Sequence, residues 1–405
     1  MLTIISWRNI WRSRLRSLVI MLAIAAGLTG GLLSIGLNNG MVEQKMRNSI
    51  ETQTAHLQVH RQGFRQNSDI KLHIPEPEEV LPQIQRTVFV EAVSGRTVVA
   101  GMLASPNASA GVQFTGVDTV QEKRVSTLHQ KLEEGSYLGG TKRNPVLISR
   151  KLADKLQVRT GSKIVATMQD VQGEIVGAAF KVAGIFRTSS SGFDEGQVFV
   201  LRENLQQLTG QPGMIHEFGI LSTGLDRVTE TREGLQKAFA GTPLEVATWQ
   251  EIQPELAYLN EATIQTNVLF LLIILLALAF GILNTMLMAI FERMKEIGVL
   301  MAVGMNRARI FGMILLETLL LTLMGAALGL LATTGLLAWL GQRGIDLSIV
   351  GQGLAAYGID EVIYPAIEPS FYLLITGMVV LIALLSALYP AWKAIKLQPV
   401  EAMSG

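Results

Sequence analysis

Four stretches of this chain run without a single Asp, Glu, Lys or Arg: Ser17 to Val42, Ala262 to Phe291, Thr318 to Gln342 and Pro369 to Trp392. A helix needs about 20 apolar residues to cross the hydrocarbon of a bilayer, and each stretch is long enough. Inside hydrocarbon every backbone N–H and C=O needs a partner within the protein, so an apolar run of this length reads as a transmembrane helix. The chain still carries 17% charged residues, and these crowd into the remainder. Membrane spans together with one soluble domain account for both. The first run follows Arg8, Arg12, Arg14 and Arg16, as the core of a signal peptide would. It is too long for one, and no small-x-small cleavage site follows Leu37, so it is expected to remain as an anchor.

Lys and Arg resist translocation, so basic short loops mark the cytoplasmic side. The amino terminus is basic, Arg293, Lys295, Arg307 and Arg309 lie between the second and third runs, and the tail holds Lys393 and Lys396. The loop Gly341 to Glu368 sets only Arg343 against Asp346, Asp360, Glu361 and Glu368. Both termini are therefore expected in the cytoplasm. The expected order begins with an amphipathic cytoplasmic helix over 1–17, a span over 18–42, and an outer domain with its stalks over 43–261. A span over 262–291, a cytoplasmic helix over 292–309 and a span over 310–340 follow. A short outer loop over 341–369, a span over 370–392 and a cytoplasmic tail over 393–405 complete it.

Val42, Met46 and Ile50 keep a four-residue spacing past the first span, which predicts a helical stalk. Thr248 and Glu251 match a capping box ahead of the second span, with Pro254 expected to kink the helix. Two stalks under one domain would form a lever. Between them Ala55, Leu57 and Val59 alternate with His56, Gln58 and His60, as in a strand with one wet face. Further strands are expected at Thr97 to Ala100, Gly111 to Val117, Val146 to Ser149, Lys163 to Thr167, Ala178 to Phe186 and Val198 to Leu201. Helices are expected over Arg150 to Gln157, Glu203 to Thr209 and Asp226 to Phe239, and Gly161, Gly173 and Gly184 are expected at hairpins. The fold class that follows is an α-helical membrane protein with four transmembrane helices. An α+β extracytoplasmic (periplasmic) domain, in one or two lobes, is inserted between helices 1 and 2.

Several function classes drop out. A net charge of +1 argues against a nucleic-acid partner, which would need clustered basic charge. With no cysteine there is no disulfide framework, thiol nucleophile or cysteine metal site. No G-x-x-x-x-G-K-[ST] phosphate loop is present, so any ATP hydrolysis is assigned to another chain. His56 and His60 have a helical metal spacing, but on a strand they stand about 13 Å apart, and no metal site is expected. Ser189 to Ser191 lack a G-x-S-x-G elbow and read as a flexible hairpin tip rather than a nucleophile.

Small residues recur inside the spans. Gly325 and Gly329 form a G-x-x-x-G, and Ala23, Gly27 and Gly31 repeat every four residues. Such stripes let helices approach closely, either within the chain or at a dimer seam. Glu317 lies a turn or two inside the third span, where a bare carboxylate is costly. An interfacial anchor, or an ion pair with Arg307 or Arg309, is expected.

The most informative segment is Asn284 to Gly304, NTMLMAIFERMKEIGVLMAVG. Ile297, Leu300, Met301 and Gly304 share one helical face, while Arg293 and Glu296 fall on another, which predicts an amphipathic helix at the membrane surface. Glu292, Arg293, Glu296, Ile297, Gly298, Ala302 and Gly304, followed by Ile310, Glu317, Gly325 and Gly329, resemble the coupling-helix signature of the FtsX-like/MacB-type ABC transporter permease superfamily. The opening S-W-R-N-I-W-R-S-R-L-R-S and the closing L-Y-P-A-W-K-A-I-K-L-Q-P-V-E-A-M, with Tyr389, Pro390, Ala391, Pro399, Val400 and Glu401, resemble the family's ends. His56 to Val59, Gly116 to Asp118, and Glu134 with Gly135 are similar to lipoprotein-releasing (LolC/LolE-like) and macrolide-exporter-type permeases.

The resemblance implies a multi-pass inner-membrane permease subunit without catalytic residues or a cofactor of its own, ATP and Mg being bound by a partner ATPase dimer. It implies a second permease chain, as a homodimer or heterodimer, and mechanical transmission through the stalks to the outer domains. Glu292, Arg293, Glu296, Ile297, Gly298, Leu300, Met301 and Gly304 would be the ATPase-coupling residues, with Ile297, Leu300 and Met301 as an outward ridge and Arg293 and Glu296 as polar pins. Lipoprotein or lipid-like cargo is expected, with a periplasmic carrier as a further partner. Drug or peptide efflux through a periplasmic adaptor, and signalling to a cell-wall hydrolase, are the alternatives.

Overall fold

The structure is a computed structural model and describes residues 2–138, 144–356 and 359–396. Pro399, Val400 and Glu401 lie outside the described residues. The chain divides into two compact units. The first comprises Met1–Glu43, Asn260–Asp346 and the chain from Val362 onward; the second comprises Gln44–Leu259 with Leu347–Glu361.

Among the described residues, six helices make up or enter the first unit: α1 (Leu2–Arg12), α2 (Arg14–Ser49), α3 (Pro254–Glu292), α4 (Met294–Ala302), α5 (Arg307–Arg343) and α6 (Pro369–Ile395). Of these, α2, α3, α5 and α6 are long and apolar enough to cross a membrane. Their inner faces carry rows spaced three and four apart: Ile24, Leu28, Leu32 and Ile35 on α2 meet Leu278, Ile282, Met286 and Ile290 on α3 in one core. Their outer faces are apolar too, with Ile273, Leu276 and Phe280 exposed. Lipid tolerates such a surface and water does not.

Glycines of both stripes meet neighbouring helices of the same chain. A Cβ on Gly325 would stand 2.9 Å from the Met21 carbonyl oxygen and from the Ile24 Cβ, and one on Gly329 would stand 3.0 Å from the Ala25 carbonyl oxygen. Helices α2 and α5 therefore touch backbone to backbone, and Thr29 donates to the Gly329 carbonyl at 3.2 Å. Gly27 and Gly31 face Leu278 and Ile274 of α3, while Ala23 is exposed. Three asparagines tie α2 to α3: Asn38 donates to Asn267 at 2.8 Å, and Asn267 donates to Asn39 at 2.7 Å.

The second unit is built on β1 (Leu57–Arg61), β2 (Val90–Ala104), β3 (Ser109–Val117), β4 (Leu132–Gly135), β5 (Pro145–Ser149), β6 (Lys163–Gln169), β7 (Ile175–Phe186), β8 (Gln197–Leu201), β9 (Glu217–Ser222) and β10 (Leu244–Thr248). The 15-residue β2 serves two lobes. Val90 to Arg96 pair with β9, which leads on to β1 and β10, and Thr97 to Ala104 pair with β3. In the second lobe the pairings β2–β3–β8–β5–β7–β6 return to β2, closing a ring that leaves no open edge among those strands. Val112, Phe114, Ile148, Phe180 and Val200 fill its core, and Val59, Ile84, Phe218 and Leu235 fill that of the other lobe.

Four expectations for this domain are corrected. The strand β1 has no wet face: Leu57, Gln58, Val59 and His60 are all buried, because β1 lies between β9 and β10 and its polar side chains meet a buried charge network. Gly184 sits inside β7 rather than at a hairpin; β5 shifts register there, and a Cβ would stand 2.8 Å from the Ser136 carbonyl oxygen. Gly161, at φ +89°, turns the chain from the helix Arg150–Leu156 into β6 and is not in a hairpin either, whereas Gly173, at φ +91°, does sit in the β6–β7 hairpin. Pro254 opens α3 instead of kinking it, in a position where the missing N–H costs nothing. The capping box of Thr248 and Glu251 forms just before it. The helices at Arg150–Leu156, Arg202–Leu208 and Val228–Ala238 fall within two residues of expectation. The stalk spacing continues to Ile50, where α2 gives way to a π-turn over Ile50–Thr54; Met46 and Ile50 pack with Trp249 and Leu256.

Candidate functional site

The segment around α4 is braced at three of its charges, Glu292, Arg293 and Glu296. Arg293 precedes the helix and both terminal nitrogens of its guanidinium are engaged, with Nη1 donating to Glu317 Oε1 at 3.0 Å and Nη2 donating to the Asn9 carbonyl at 3.0 Å and to Ser13 Oγ at 3.1 Å. Glu296 pairs with Arg12 at 2.7 Å, and Glu292 pairs with Arg16. The signal for this zipper was present in the sequence as matched spacings: Arg12 and Arg16 are four apart, as are Glu292 and Glu296, in opposite order.

The partner expected for Glu317 is corrected. Arg307 and Arg309 begin α5 and are exposed, at least eight residues and about 12 Å along the axis from Glu317. Arg293, arriving from the preceding loop, takes the carboxylate instead, with both side chains largely buried. A carboxylate in a membrane helix is costly unless a cation and hydrogen bonds answer it, and Arg293 supplies both.

The expected outward ridge also turns the other way. Ile297 is 5% exposed and joins the core of the helix bundle, Gly298 is buried beside it, and Leu300 and Met301 are half-buried. A nine-residue helix can bury one face, and the apolar surface beside it belongs to α3 and α5. What α4 presents outward is Lys295, Glu296 and Val299, and the residue after it, Val303, is 84% exposed. Arg293 is thus an internal clamp and Glu296 remains accessible. Gly304 has φ +97°, and the Gly304 and Met305 amides donate to the Met301 and Leu300 carbonyls, closing the helix with a left-handed residue. Asn306 then caps α5, accepting from the Ala308 amide at 3.2 Å.

In the second unit, Thr188 to Gly192 form no hairpin tip. Ser190 precedes a short helix over Ser191–Gly196, and the loop lines a polar cavity of about 470 Å³ with Asn48, Gln53 and Gln253. Asn48 donates to Ser189 Oγ at 3.0 Å and to Asp360 Oδ2 at 2.7 Å. Asp194 holds the loop, accepting from the Thr188 amide at 3.1 Å and from its hydroxyl at 2.7 Å. Burial pushes the Asp194 carboxyl up to about 6, against those bonds.

At the junction of the two lobes, Arg96 pairs with Glu122 at 2.7 Å and with Glu217 at 3.0 Å. Burial pulls the Arg96 guanidinium down, but the two carboxylates outweigh it and raise it above its ordinary value. Burial pushes Glu217 up, yet the hydrogen bond with His60 and the charge of Arg96 bring it down to about 2. His60 therefore belongs to a structural network, and His56 accepts from the Ser222 amide at 3.1 Å. His216 accepts from the Val98 amide through Nδ1 and reaches the Ile70 carbonyl through Nε2. Its burial lowers it to about 4.

Two family models match the chain: the MacB-like periplasmic core domain over residues 17–229, and the FtsX-like permease C-terminal region over residues 268–399. Over 401 aligned residues the chain is 23% identical to the lipoprotein-releasing system transmembrane protein LolC of Xylella fastidiosa, covering 96% of this chain and 93% of that protein. It is 25% identical over 413 residues to the macrolide export ATP-binding/permease protein MacB of Sodalis glossinidius, covering 96% of this chain but 58% of that protein's length. The crystal structure of the periplasmic region of MacB from Actinobacillus actinomycetemcomitans aligns with 53% of this chain and 97% of that one, at a TM-score of 0.37 and 10% identity.

Proposed function

Because this chain belongs to the FtsX-like/MacB-type family of ABC transporter permeases, we propose that it is a non-catalytic permease subunit that couples a separate ATPase to movement of an outer domain, releasing lipoprotein or lipid-like cargo from the inner membrane. In this reading both termini are cytoplasmic. The domain between α2 and α3 lies in the periplasm, and the chain pairs with a second permease chain. ATP and Mg are held by the ATPase, which docks on α4. The observation that carries the reading is the bracing of α4: each of Glu292, Arg293 and Glu296 is tied to the amino-terminal segment or to α5, so a push on Val299 and Val303 is passed to the bundle instead of moving α4 alone.

The cargo assignment is supported by the LolC relative, which is matched along nearly its whole length. Depletion of the chain is expected to leave acylated proteins on the inner membrane, read by fractionation and immunoblotting. The second reading is efflux, favoured by the match to the MacB-like core domain. Normal lipoprotein sorting together with lost resistance to an exported drug would select it.

A further inference from the structure

A cavity of about 480 Å³ opens between α1, α3, α4 and α5. Met286 and Ile290 of α3, Met313 and Ile314 of α5, and Ile297 and Leu300 of α4 line its apolar part. Its rim is charged, and the charges do not cancel. Arg12 is answered by Glu296 at 2.7 Å and Arg293 by Glu317 at 3.0 Å, which leaves the exposed Lys295 as the one uncompensated ion among these five. Among the described residues, Lys295 has no ion-pair or hydrogen-bond partner.

The depth of the cavity is set by α1. That helix exposes Ile4, Trp7 and Trp11, the two indoles edge-on at 5.9 Å, beside Arg8 and Arg12. Tryptophans among arginines on an amphipathic helix mark the headgroup level of a bilayer. A cavity at that level, apolar inside with an unpaired ammonium at its mouth, has the chemistry of an amphiphile with a negative head. A free inorganic anion would leave the apolar walls unused, and a zwitterionic lipid would leave the ammonium without net opposing charge. Basic pockets between membrane helices recognise anionic headgroups on these grounds.

We propose that this cavity binds an anionic phospholipid, with the phosphate at Lys295 and the first part of an acyl chain against Met286, Ile290 and Met313. A lipid held there would contact both α4 and α1, so its presence would stiffen the segment. The proposal rests on the four helices crossing a membrane and needs no docked ATPase.

The test uses the purified full chain in neutral detergent, titrated with dioleoyl-phosphatidylglycerol, dioleoyl-phosphatidylcholine or sn-glycerol-1-phosphate, and read by native mass spectrometry and by melting temperature. Phosphatidylglycerol is expected to bind and to raise the melting temperature, phosphatidylcholine to do so roughly fivefold more weakly, and glycerol phosphate to do neither. Lys295→Glu is expected to abolish the preference for the anionic lipid, and Lys295→Arg to keep it. Ala289→Trp, which projects into the cavity, is expected to lower binding of both lipids. Equal binding of the two phospholipids, an unchanged preference in Lys295→Glu, or glycerol phosphate acting as well as the lipid would each overturn the assignment. The ATPase is absent from the assay, so failure here leaves the coupling reading intact.

Discussion

Arg293 and Glu317 face each other at 3.0 Å across the junction of α4 and α5, with side chains 16% and 13% exposed, and the same guanidinium holds the turn between α1 and α2 through Asn9 and Ser13. One ion pair therefore joins three parts of the helix bundle. Removing one partner strands the other charge, a loss of about 3 to 5 kcal/mol for a buried pair, whereas replacing both by apolar groups is often neutral. Arg293→Met and Glu317→Leu are each expected to lower the melting temperature of the detergent-purified chain, and the double variant to recover much of the loss. Additive losses in the double variant would show that the two residues act separately.

Glu296 and Val303 should separate docking from folding. The Glu296–Arg12 pair is exposed on both sides, so losing it costs about 0 to 1 kcal/mol. Val303 is 84% exposed and touches little of its own chain. Glu296→Lys and Val303→Asp are expected to insert and fold normally yet lose co-purification of the ATPase and transport-linked hydrolysis. Full ATPase recovery with both variants would reduce α4 to a surface helix.

Two buried groups in the sheet domain give stability slopes of opposite sign. His216 sits near 4 in the folded chain against about 6.5 when unfolded, so the unfolded state binds more protons in that window and stability falls as pH drops through it. Asp194 sits near 6 against about 3.9 unfolded, so the folded state binds more protons there and stability falls as pH rises through it. Between pH 4 and 6 the two oppose each other. Relative to the parent, Asp194→Asn is expected to melt comparatively higher at pH 7 than at pH 4. His216→Gln is expected to show its largest deficit at pH 7 and a smaller one at pH 4. Melting curves across that range decide both, and pH-independent differences would assign the buried groups no proton linkage.

Topology can be read cleanly because the chain has no cysteine of its own. Val120, 66% exposed on the sheet domain, and Val303, just after α4, are suitable positions for single cysteines. A membrane-impermeant maleimide is expected to label Val120→Cys in cells with a permeabilised outer membrane, and to label Val303→Cys only after the inner membrane is opened. Labelling in the reverse order would invert the orientation.

How much of this was legible in the sequence depends on the range of the interaction. Spans, most strands and the capping box at Thr248 follow from composition and spacing within a dozen residues, and those are properties the chain carries wherever it folds. The strand β4 escaped because it is only four residues long and mostly exposed, and β9 and β10 because they are buried on nearly every side chain, so no alternation marks them.

Only the tertiary structure decided the rest. Glu317 needed a cation, and the sequence offered Arg307 and Arg309 as neighbours; the fold brought Arg293 from 24 residues away because the loop before α4 turns back on α5. Ile297 sits on an amphipathic face that says nothing about which way the face points, and the bundle's own apolar wall claimed it. Arg96 and Thr97 are adjacent residues of one strand, yet they pair with different strands in different lobes. Local pattern sets what each segment can become, whereas the choice among competing partners is made by surfaces that exist only once distant segments have met.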